Sequence, residues 1–207
     1  MTSFDHVRLY CFSPGRLAGP KDPVALVEEQ IRGGADVIQL REKEMSKRDR
    51  LALGFELRRL TRNYGVLFIV NDDVDLALIL EADGVHLGQE DIPIDHARPL
   101  MKDRIIGVST HSLEQAMTAV RQGADYIGVG PVFPTKTKEN PDPIVGLSLL
   151  ERVGADCPIP FVAIGGIGRD NLELVVKAGC RRAAVISDIL LAPDVAERCR
   201  ELKRMLA

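Results

Sequence analysis

The sequence has no tryptophan, few aromatic residues and no excess of positive charge. Aromatic residues make up 4% of its 207 residues, which disfavours the stacking surfaces that hold single-stranded nucleic acid. The formal net charge of −3 argues against a general nucleic-acid binder or a membrane-surface protein. No apolar run reaches transmembrane length, and the N-terminus, M-T-S-F-D-H-V-R, lacks the apolar segment of a signal peptide.

The four cysteines are scattered along the chain and form no C-x-x-C pair. They are Cys11, Cys157, Cys180 and Cys199. This spacing favours free thiols in a reducing cytoplasm over a disulfide framework or a zinc site. The chain is 45% apolar and 28% charged, which is enough to bury a full core in a single domain over residues 1–207.

Short β-branched runs alternate with amphipathic runs along the whole sequence. The predicted strands are Val7–Phe12, Val37–Arg41, Leu67–Asn71, Gly84–Leu87, Ile105–Ser109, Tyr126–Gly130, Phe161–Gly165 and Ala183–Ser187. The predicted helices are Pro23–Gly33, Lys47–Asn63, Val74–Ala82, Ile94–Met101, Leu113–Gln122, Leu147–Val153, Asn171–Lys177 and Asp194–Met205. The phrases G-G-A-D, E-A-D-G, Q-G-A-D and K-A-G-C precede strands and indicate one repeated helix-to-strand turn.

This alternation predicts an α/β fold with a parallel sheet, and its eight units predict a (β/α)8 TIM barrel. A doubly wound open sheet is the structural alternative. Its Gly-rich first turn is poorly matched by S-P-G-R-L-A-G at Ser13–Gly19. In a TIM barrel the functional residues lie at the carboxyl ends of the strands.

The longest stretch without helical or strand periodicity is Phe133–Val145. A run of that length in a compact chain is usually a lid or a binding loop, although a plain surface loop remains the alternative. Its T-K-T-K centre offers hydroxyl donors and positive charge to an anion, and we expect this anion to be phosphate.

Polar side chains follow the second strand, in V-I-Q-L-R-E-K. Because side chains alternate along a strand, Ile38 and Leu40 are expected to face the helices. Gln39, Arg41 and Lys43 are then expected to share the barrel mouth, where two cations need an anion or a carboxylate. The alternative partner is a salt bridge to Glu42 or Asp72.

The third and fourth strands end in carboxylates, in F-I-V-N-D-D and H-L-G-Q-E-D. Asn71 and Asp72 are expected at one strand end and Asp91 just past the next, while Asp73 is expected to cap a helix. Two carboxylates at one rim repel each other unless a cation or a shared proton lies between them. Magnesium suits such oxygen ligands.

The later strands add further candidates. Ser109 and His111 are expected to face inward after the fifth strand, with His111 either a general acid or base or a plain loop residue. Gly165 and Gly166, in A-I-G-G-I, together with Ser187, fit the phosphate-binding turns that follow strands seven and eight of many barrels. We assign no role to His6, His86 and His96.

Taken together, these motifs resemble the thiamine phosphate synthase family. The resemblance rests on Q-L-R-E-K, N-D, D-G-V-H-L-G-Q-E-D, G-V-S-T-H, A-D-Y-I-G-V-G-P-V-F-P-T-K-T-K, A-I-G-G-I and V-I-S, which occur in order. It implies a Mg²⁺-dependent transfer of a hydroxymethylpyrimidine group from its diphosphate to a thiazole phosphate. The resemblance also implies that diphosphate is released, and we expect the reaction to proceed through a pyrimidine cation without a protein nucleophile.

The resemblance also implies the roles of individual residues. The pyrimidine diphosphate would be held by Gln39, Leu40, Arg41, Glu42, Lys43, Asn71, Ser109 and Lys138, of which Arg41, Lys43, Ser109 and Lys138 would act in catalysis. Magnesium would be held by Asp72 and Asp91. The thiazole phosphate would be held by Thr135, Thr137, Gly166, Ile186 and Ser187. The partners would be these two small phosphorylated substrates, and a homodimer stays open as the assembly.

Asp188 departs from the family pattern, which more often has alanine there. If Val185 and Ser187 point into the barrel mouth, Asp188 points outward. We expect it to cap the segment that begins near Leu190 or to pair with Arg181 or Arg182. Two other functions stay open: a related thiazole tautomerase that uses His111, and a non-catalytic regulator that binds thiamine precursors.

Overall fold

A computed structural model of the protein describes residues 4–135 and 142–207. Its strands are β1 (Leu9–Phe12), β2 (Val37–Leu40), β3 (Leu67–Asn71), β4 (Gly84–Leu87), β5 (Ile105–Thr110), β6 (Tyr126–Val129), β7 (Phe161–Ile164) and β8 (Ala183–Ala184). Its α-helices are α1 (Pro23–Arg32), α2 (Lys47–Tyr64), α3 (Val74–Ile79), α4 (Ile94–Met101), α5 (Leu113–Gln122), α6 (Gly146–Asp156), α7 (Leu172–Lys177), α8 (Ser187–Leu190) and α9 (Val195–Met205). A 3₁₀ turn covers Gly15–Ala18.

The strands form one closed barrel in sequence order, and every neighbouring pair is parallel. The predicted (β/α)8 TIM barrel is therefore confirmed. Most predicted strands and helices agree with the structure to within one or two residues at each end. Three ends differ from the prediction by three residues: α3 ends at Ile79 rather than Ala82, α6 at Asp156 rather than Val153, and β8 at Ala184 rather than Ser187. The strand is shorter because the chain turns into the short helix α8 at Ser187.

Side-chain alternation divides the core into two layers. One layer lies between the strands and the helices and contains residues such as Ile38, Leu40 and Val108. The other fills the barrel and contains Tyr10 and Tyr126, which are 2% and 1% exposed. The barrel therefore has a packed floor, and polar residues are left for its upper end.

Gly107 makes room for the aromatic ring in this floor. A Cβ atom at Gly107 would lie 2.1 Å from Cζ of Tyr126, a distance at which two carbons overlap. Phe4 stacks on the Tyr126 ring from below, with ring centroids 4.0 Å apart. These contacts fix the Tyr126 ring and direct its hydroxyl toward the interior of the barrel.

The repeated helix-to-strand turn places three aspartates at the lower end of the barrel: Asp36, Asp83 and Asp125. Asp36 accepts a hydrogen bond from the first N–H of β1 at 2.9 Å. Asp83 accepts from the second N–H of β3 at 2.8 Å, and Asp125 from the second N–H of β5 at 2.7 Å. Each aspartate thereby joins the turn before one strand to the start of the preceding strand.

Several helices begin and end at residues that are typical of helix caps. Asp22, Ser46 and Ser112 accept hydrogen bonds from the first turns of α1, α2 and α5. Gly123 ends α5 with a φ of +87°, a left-handed conformation that favours glycine. Within residues 4–135 and 142–207, no helix is long and apolar enough to span a membrane.

Candidate active site

A cavity of about 660 Å³ opens at the carboxyl ends of the strands. Its volume lies in the usual range for a small-molecule site. The structure brings most of the predicted site residues together in its lining: Gln39, Arg41, Lys43, Asn71, Asp72, Asp91, Ser109, Thr135, Gly166, Ile186 and Ser187.

Two of the predicted residues do not contribute side chains to the cavity. Leu40 is 2% exposed and packs in the layer between strands and helices. Glu42 is 4% exposed, and its Oε1 accepts a hydrogen bond from the N–H of Gly15 at 3.0 Å. Thr137 and Lys138 lie outside the described residues.

The end of β2 has the predicted arrangement. Gln39, Arg41 and Lys43 line the cavity, whereas Ile38 and Leu40 face the helices. Burial lowers the pKa of the Arg41 guanidinium, and the charges of nearby carboxylates oppose this effect. Such a cation is stabilised by an anionic ligand, because it has given up part of its hydration.

Asp72 and Asp91 both line the cavity, at the ends of the neighbouring strands β3 and β4. Burial raises the pKa of Asp72 to about 6, with a further contribution from Asp91, while Lys43 and Arg41 oppose the rise. Lys43 Nζ lies 4.0 Å from Asp72 Oδ2, so the salt bridge considered from the sequence is present. The Asp91 Oδ2 atom accepts a hydrogen bond from the N–H of Gly88 at 2.6 Å, which orients this carboxylate.

The backbone at Asp72 is left-handed, with a φ of +61°. Aspartate and asparagine tolerate this conformation better than most residues. The neighbouring Asp73 lies at the N-cap of α3, as predicted, but its side chain makes no capping hydrogen bond. It pairs instead with Arg50 at 2.5 Å and Lys47 at 3.1 Å, because these cations on α2 reach the same place.

Ser109 contacts a histidine for which the sequence suggested no role. Its Oγ lies 2.9 Å from Nε2 of His86, and the Nδ1 of His86 lies 2.8 Å from the hydroxyl of Tyr126. Burial lowers the pKa of His86 to about 4, so its ring is neutral at pH 7. The period-two alternation of β4 could have identified His86, because Val85 and Leu87 face the helices.

His111 also lines the cavity, as expected from the alternation of β5. Its Nδ1 donates a hydrogen bond to the carbonyl of Gly130 at 2.5 Å, and its N–H donates to Gln115 Oε1 at 2.7 Å. The Nε2 atom lies 3.6 Å from a carboxylate oxygen of Asp142. These contacts hold the ring in one orientation at the rim of the cavity.

The turn after β7 packs closely against the protein backbone at the cavity. Gly166 has a φ of +62°, and a Cβ atom there would lie 2.3 Å from the carbonyl oxygen of Pro134. Only glycine fits this position, which packs the turn against the segment that follows β6. Asn171 fixes the turn, because its amide donates to the carbonyl of Gly166 at 2.9 Å and accepts from the N–H of Gly168 at 2.9 Å.

The inward register predicted for the eighth strand was wrong at Val185. Val185 is 2% exposed and packs toward the helices, whereas Ala184 and Ile186 face the cavity. Ser187 still lines the cavity because α8 begins there and changes the direction of the chain.

Asp188 does not line the cavity. The partners predicted for it were wrong. Its Oδ1 pairs with Arg198 of α9 at 2.6 Å, and its Oδ2 accepts from the N–H of Arg169 at 3.1 Å. Neither Arg181 nor Arg182 is the partner that the structure gives it. The sequence could not indicate Arg198, because that pairing depends on how α9 packs.

The fold and the cavity define a (β/α)8-barrel enzyme whose active site lies at the carboxyl ends of the strands. The family model for thiamine monophosphate synthase matches residues 9–189. The chain therefore belongs to the thiamine monophosphate synthase family, and it is a transferase of thiamine biosynthesis.

Its relatives are similar over nearly their full length. The chain is 47% identical over 189 residues to the thiamine-phosphate synthase of Shouchella clausii, covering 91% of this chain and 90% of that protein. It is 44% identical over 200 residues to the corresponding protein of Halalkalibacterium halodurans, with coverages of 96% and 95%. The solved thiamine phosphate pyrophosphorylase of Pyrococcus furiosus superposes with a TM-score of 0.87 at 42% identity, covering 97% of this chain and 95% of that chain.

Proposed function

We propose that this enzyme transfers the hydroxymethylpyrimidine group of 4-amino-2-methyl-5-(diphosphooxymethyl)pyrimidine to a thiazole phosphate. The products are thiamine phosphate and diphosphate. One observation carries the proposal: the cations Arg41 and Lys43 share a single cavity with the carboxylate pair Asp72 and Asp91. The names of the relatives agree with this reaction.

The charge in the cavity supports a divalent cation. Among the described residues, its lining contains two cationic and four carboxylate side chains: Arg41, Lys43, Asp72, Glu90, Asp91 and Asp142. A diphosphate would meet a net negative surface there unless a cation were also bound. Asp72 and Asp91 offer oxygen ligands at neighbouring strand ends, and Asp91 raises the pKa of Asp72, as expected of two like charges that would share a cation. This donor set fits Mg²⁺, which usually binds one or two carboxylates, several waters and substrate phosphate oxygens.

Asp72 and Asp91 would hold Mg²⁺, which would neutralise charge on the diphosphate as a Lewis acid. Arg41 and Lys43 would bind the remaining diphosphate oxygens, with Lys138 as a third cation. These contacts strengthen as the C–O bond breaks and its electron pair leaves with diphosphate. Asn71 at the end of β3 lines the same part of the cavity and would hold the pyrimidine diphosphate.

The pyrimidine remains as a cation that its amino group can delocalise, so no protein nucleophile is required. The thiazole nitrogen then donates its lone pair to the exposed carbon and forms the new C–N bond. Ser109 and Gln39 would hold the pyrimidine ring while both events occur. The work of the site is therefore positioning and charge stabilisation rather than covalent catalysis.

The thiazole phosphate would lie across the cavity, at the turns after β7 and β8. Gly166 lines the cavity in the first of these turns, and Ile186 and Ser187 line it where α8 starts. The N–H groups of the first turn of a helix have no partners within the helix, which suits them to phosphate. Thr135 and Thr137 would add hydroxyl groups, and the loop that carries them would exclude water that could trap the cation.

Mass spectrometry of both substrates incubated with the purified protein and Mg²⁺ tests this function. We expect the two substrates to be consumed in equal amounts and thiamine phosphate to appear, with no product in excess chelator. Isomerisation of a single substrate would instead indicate a tautomerase. Binding of both substrates without turnover would indicate a regulator.

Matched variants make the test specific. Asp91→Asn removes one proposed metal ligand and should lower turnover by orders of magnitude. Asp103→Asn makes the same chemical change at an exposed position and should leave turnover unchanged. Equal activity of the two variants would overturn the assignment of Asp91.

A further inference from the structure

A chain of hydrogen bonds crosses the interior of the barrel from β2 to β5. It links five side chains in the order Gln39, Tyr10, Tyr126, His86 and Ser109. The successive distances are 2.7 Å, 3.0 Å, 2.8 Å and 2.9 Å. Both ends of the chain reach the cavity at residues to which the proposed function assigns the pyrimidine.

The direction of these hydrogen bonds follows from the chemistry of the groups. The Nε2 of Gln39 is an amide nitrogen, which can only donate a hydrogen bond. The hydroxyl oxygen of Tyr10 therefore accepts from it. Tyr10 is fully buried, and among the described residues its only other hydrogen-bond partner is the hydroxyl of Tyr126. Tyr10 must therefore donate its proton to Tyr126, since a buried donor without an acceptor is costly.

The same reasoning applies at the next link. The hydroxyl of Tyr126 accepts from Tyr10 and donates to the Nδ1 of His86. Because Nδ1 accepts, the proton of the neutral imidazole lies on Nε2. That proton is donated to the Oγ of Ser109. The hydroxyl proton of Ser109 is then left to face the cavity.

We propose that Tyr10, Tyr126 and His86 form a positioning relay that keeps the Ser109 hydroxyl a hydrogen-bond donor toward the substrate. This inference rests on the proposed function, in which Ser109 contacts the pyrimidine. At the other end of the relay, Gln39 uses its Nε2 on Tyr10 and leaves its Oε1 as an acceptor. An aminopyrimidine offers an amino donor and ring nitrogen acceptors, so the two ends match its two kinds of polar group.

The relay acts as a unit because no single hydrogen bond in it can change direction alone. Turning one hydroxyl or exchanging the histidine tautomer would leave two donors facing each other or a buried donor unpaired. Reversal would require the Gln39 amide to turn over and all four hydrogen bonds to change direction together. The reversed relay would make Ser109 an acceptor from the cavity and would move the imidazole proton to Nδ1.

Nitrogen NMR of the substrate-free protein tests the direction of the relay without any assay of activity. We expect His86 to show a protonated Nε2 and an unprotonated Nδ1, identified by comparison with a His86→Gln variant. In Tyr126→Phe the Nδ1 of His86 loses its donor, and its shift should change. A protonated Nδ1 in the wild-type protein would overturn the proposal, whether or not the enzyme makes thiamine phosphate.

Turnover then tests whether the relay works through Ser109. Tyr126→Phe keeps the ring that stacks on Phe4 and removes only the hydroxyl, and it should lower kcat/KM for the pyrimidine diphosphate on the order of tenfold. Tyr64→Phe removes an exposed hydroxyl bound to Glu28 and should change nothing. If Tyr126→Phe does not fold, Tyr10→Phe breaks the same relay one link earlier.

A double-variant cycle separates positioning from a merely structural role. In the Ser109→Ala background, Tyr126→Phe should have no further effect, since the relay would have nothing left to position. His86→Gln, which can still place an N–H near Ser109, should retain more activity than His86→Leu. The relay would be overturned if the fold-losses in kcat/KM of Tyr126→Phe and Ser109→Ala multiplied in the double variant. Equal losses of activity in His86→Gln and His86→Leu would also overturn it.

Discussion

Replacing Asp72 with asparagine is expected to stabilise the metal-free enzyme at neutral pH and to remove its response to Mg²⁺. The φ of +61° at Asp72 makes asparagine the appropriate replacement, because it tolerates the same left-handed backbone. The variant therefore changes the charge beside Asp91 without straining the chain. It isolates the electrostatic cost of keeping the Asp72 carboxylate ionised in the cavity beside Asp91.

The sign and size of the effect follow from the pKa. Asp72 has a pKa of about 6 in the folded protein against an ordinary value of 3.8, so the folded state holds its proton more tightly than the unfolded state. The stability of the metal-free enzyme should then fall as the pH rises from about 4 to about 6, and stay lower above that. A shift of about two pH units corresponds to roughly 3 kcal/mol. Because the side chain is 36% exposed, solvent screening reduces this to roughly 1–2 kcal/mol.

Urea unfolding of the metal-free wild-type enzyme and of Asp72→Asn measures this difference. At pH 4 the two proteins should have similar free energies of unfolding, and at pH 7.5 the variant should be more stable by roughly 1–2 kcal/mol. Added Mg²⁺ should stabilise the wild-type enzyme increasingly as the pH rises through 6, and should stabilise the variant little. Asp103→Asn serves as the control and should behave as the wild type.

Two results would refute this reasoning. The first is a variant that is less stable than the wild type at pH 7.5, which would mean that Asp72 stabilises the metal-free enzyme when ionised. The second is a Mg²⁺ effect of equal size in the wild type and the variant, which would place the metal elsewhere.

Four further variants test the site and its surroundings. Asp188→Ala should destabilise the protein by about 1 kcal/mol, measured by urea unfolding, since it breaks the pair with Arg198, and should change the KM for thiazole phosphate little. Ser187→Ala should raise the KM for thiazole phosphate. A tenfold fall of this KM in Asp188→Ala would show that the Asp188 carboxylate faces the phosphate. Lys138→Ala should mainly lower kcat, because the charge of Lys138 matters most as diphosphate leaves. If only the KM for thiazole phosphate rose, Lys138 would bind the thiazole phosphate instead. His111→Ala should leave formation of thiamine phosphate measurable by steady-state assay, since the Nδ1 of His111 is hydrogen-bonded to the carbonyl of Gly130. Complete loss of activity in a folded variant that binds both substrates would indicate that His111 transfers a proton.

Alternation along strands was the most reliable guide from sequence to site. It placed Gln39, Arg41 and Lys43 in the cavity correctly, because a strand of a closed barrel has one inward and one outward face. It failed at Val185 because the parity was counted back from Ser187: alternation holds from Ala183 to Ile186, but α8 begins at Ser187 and breaks it there.

Contacts between distant elements could not be derived in the same way. The His86–Tyr126 hydrogen bond joins residues 40 positions apart, and neither residue alone distinguishes a polar relay from ordinary core packing. Alternation predicts that both face inward, but their contact depends on the space that Gly107 provides. The partner of Asp188 was missed for a similar reason, since helix packing rather than local sequence brings Arg198 to it.

The turn aspartates at the lower end of the barrel divide its strands into pairs. Asp36 binds the start of β1 and stands just before β2, and Asp83 and Asp125 do the same for the pairs β3–β4 and β5–β6. In the last pair Cys180 precedes β8, and its thiol lies 3.8 Å from the carbonyl of Phe161 at the start of β7. Within the closed barrel these four side-chain links therefore group the eight strands into four modules of two strands each. New chain ends placed between modules would leave all of these side-chain links intact, whereas ends placed within a module would separate the two strands that one of them joins.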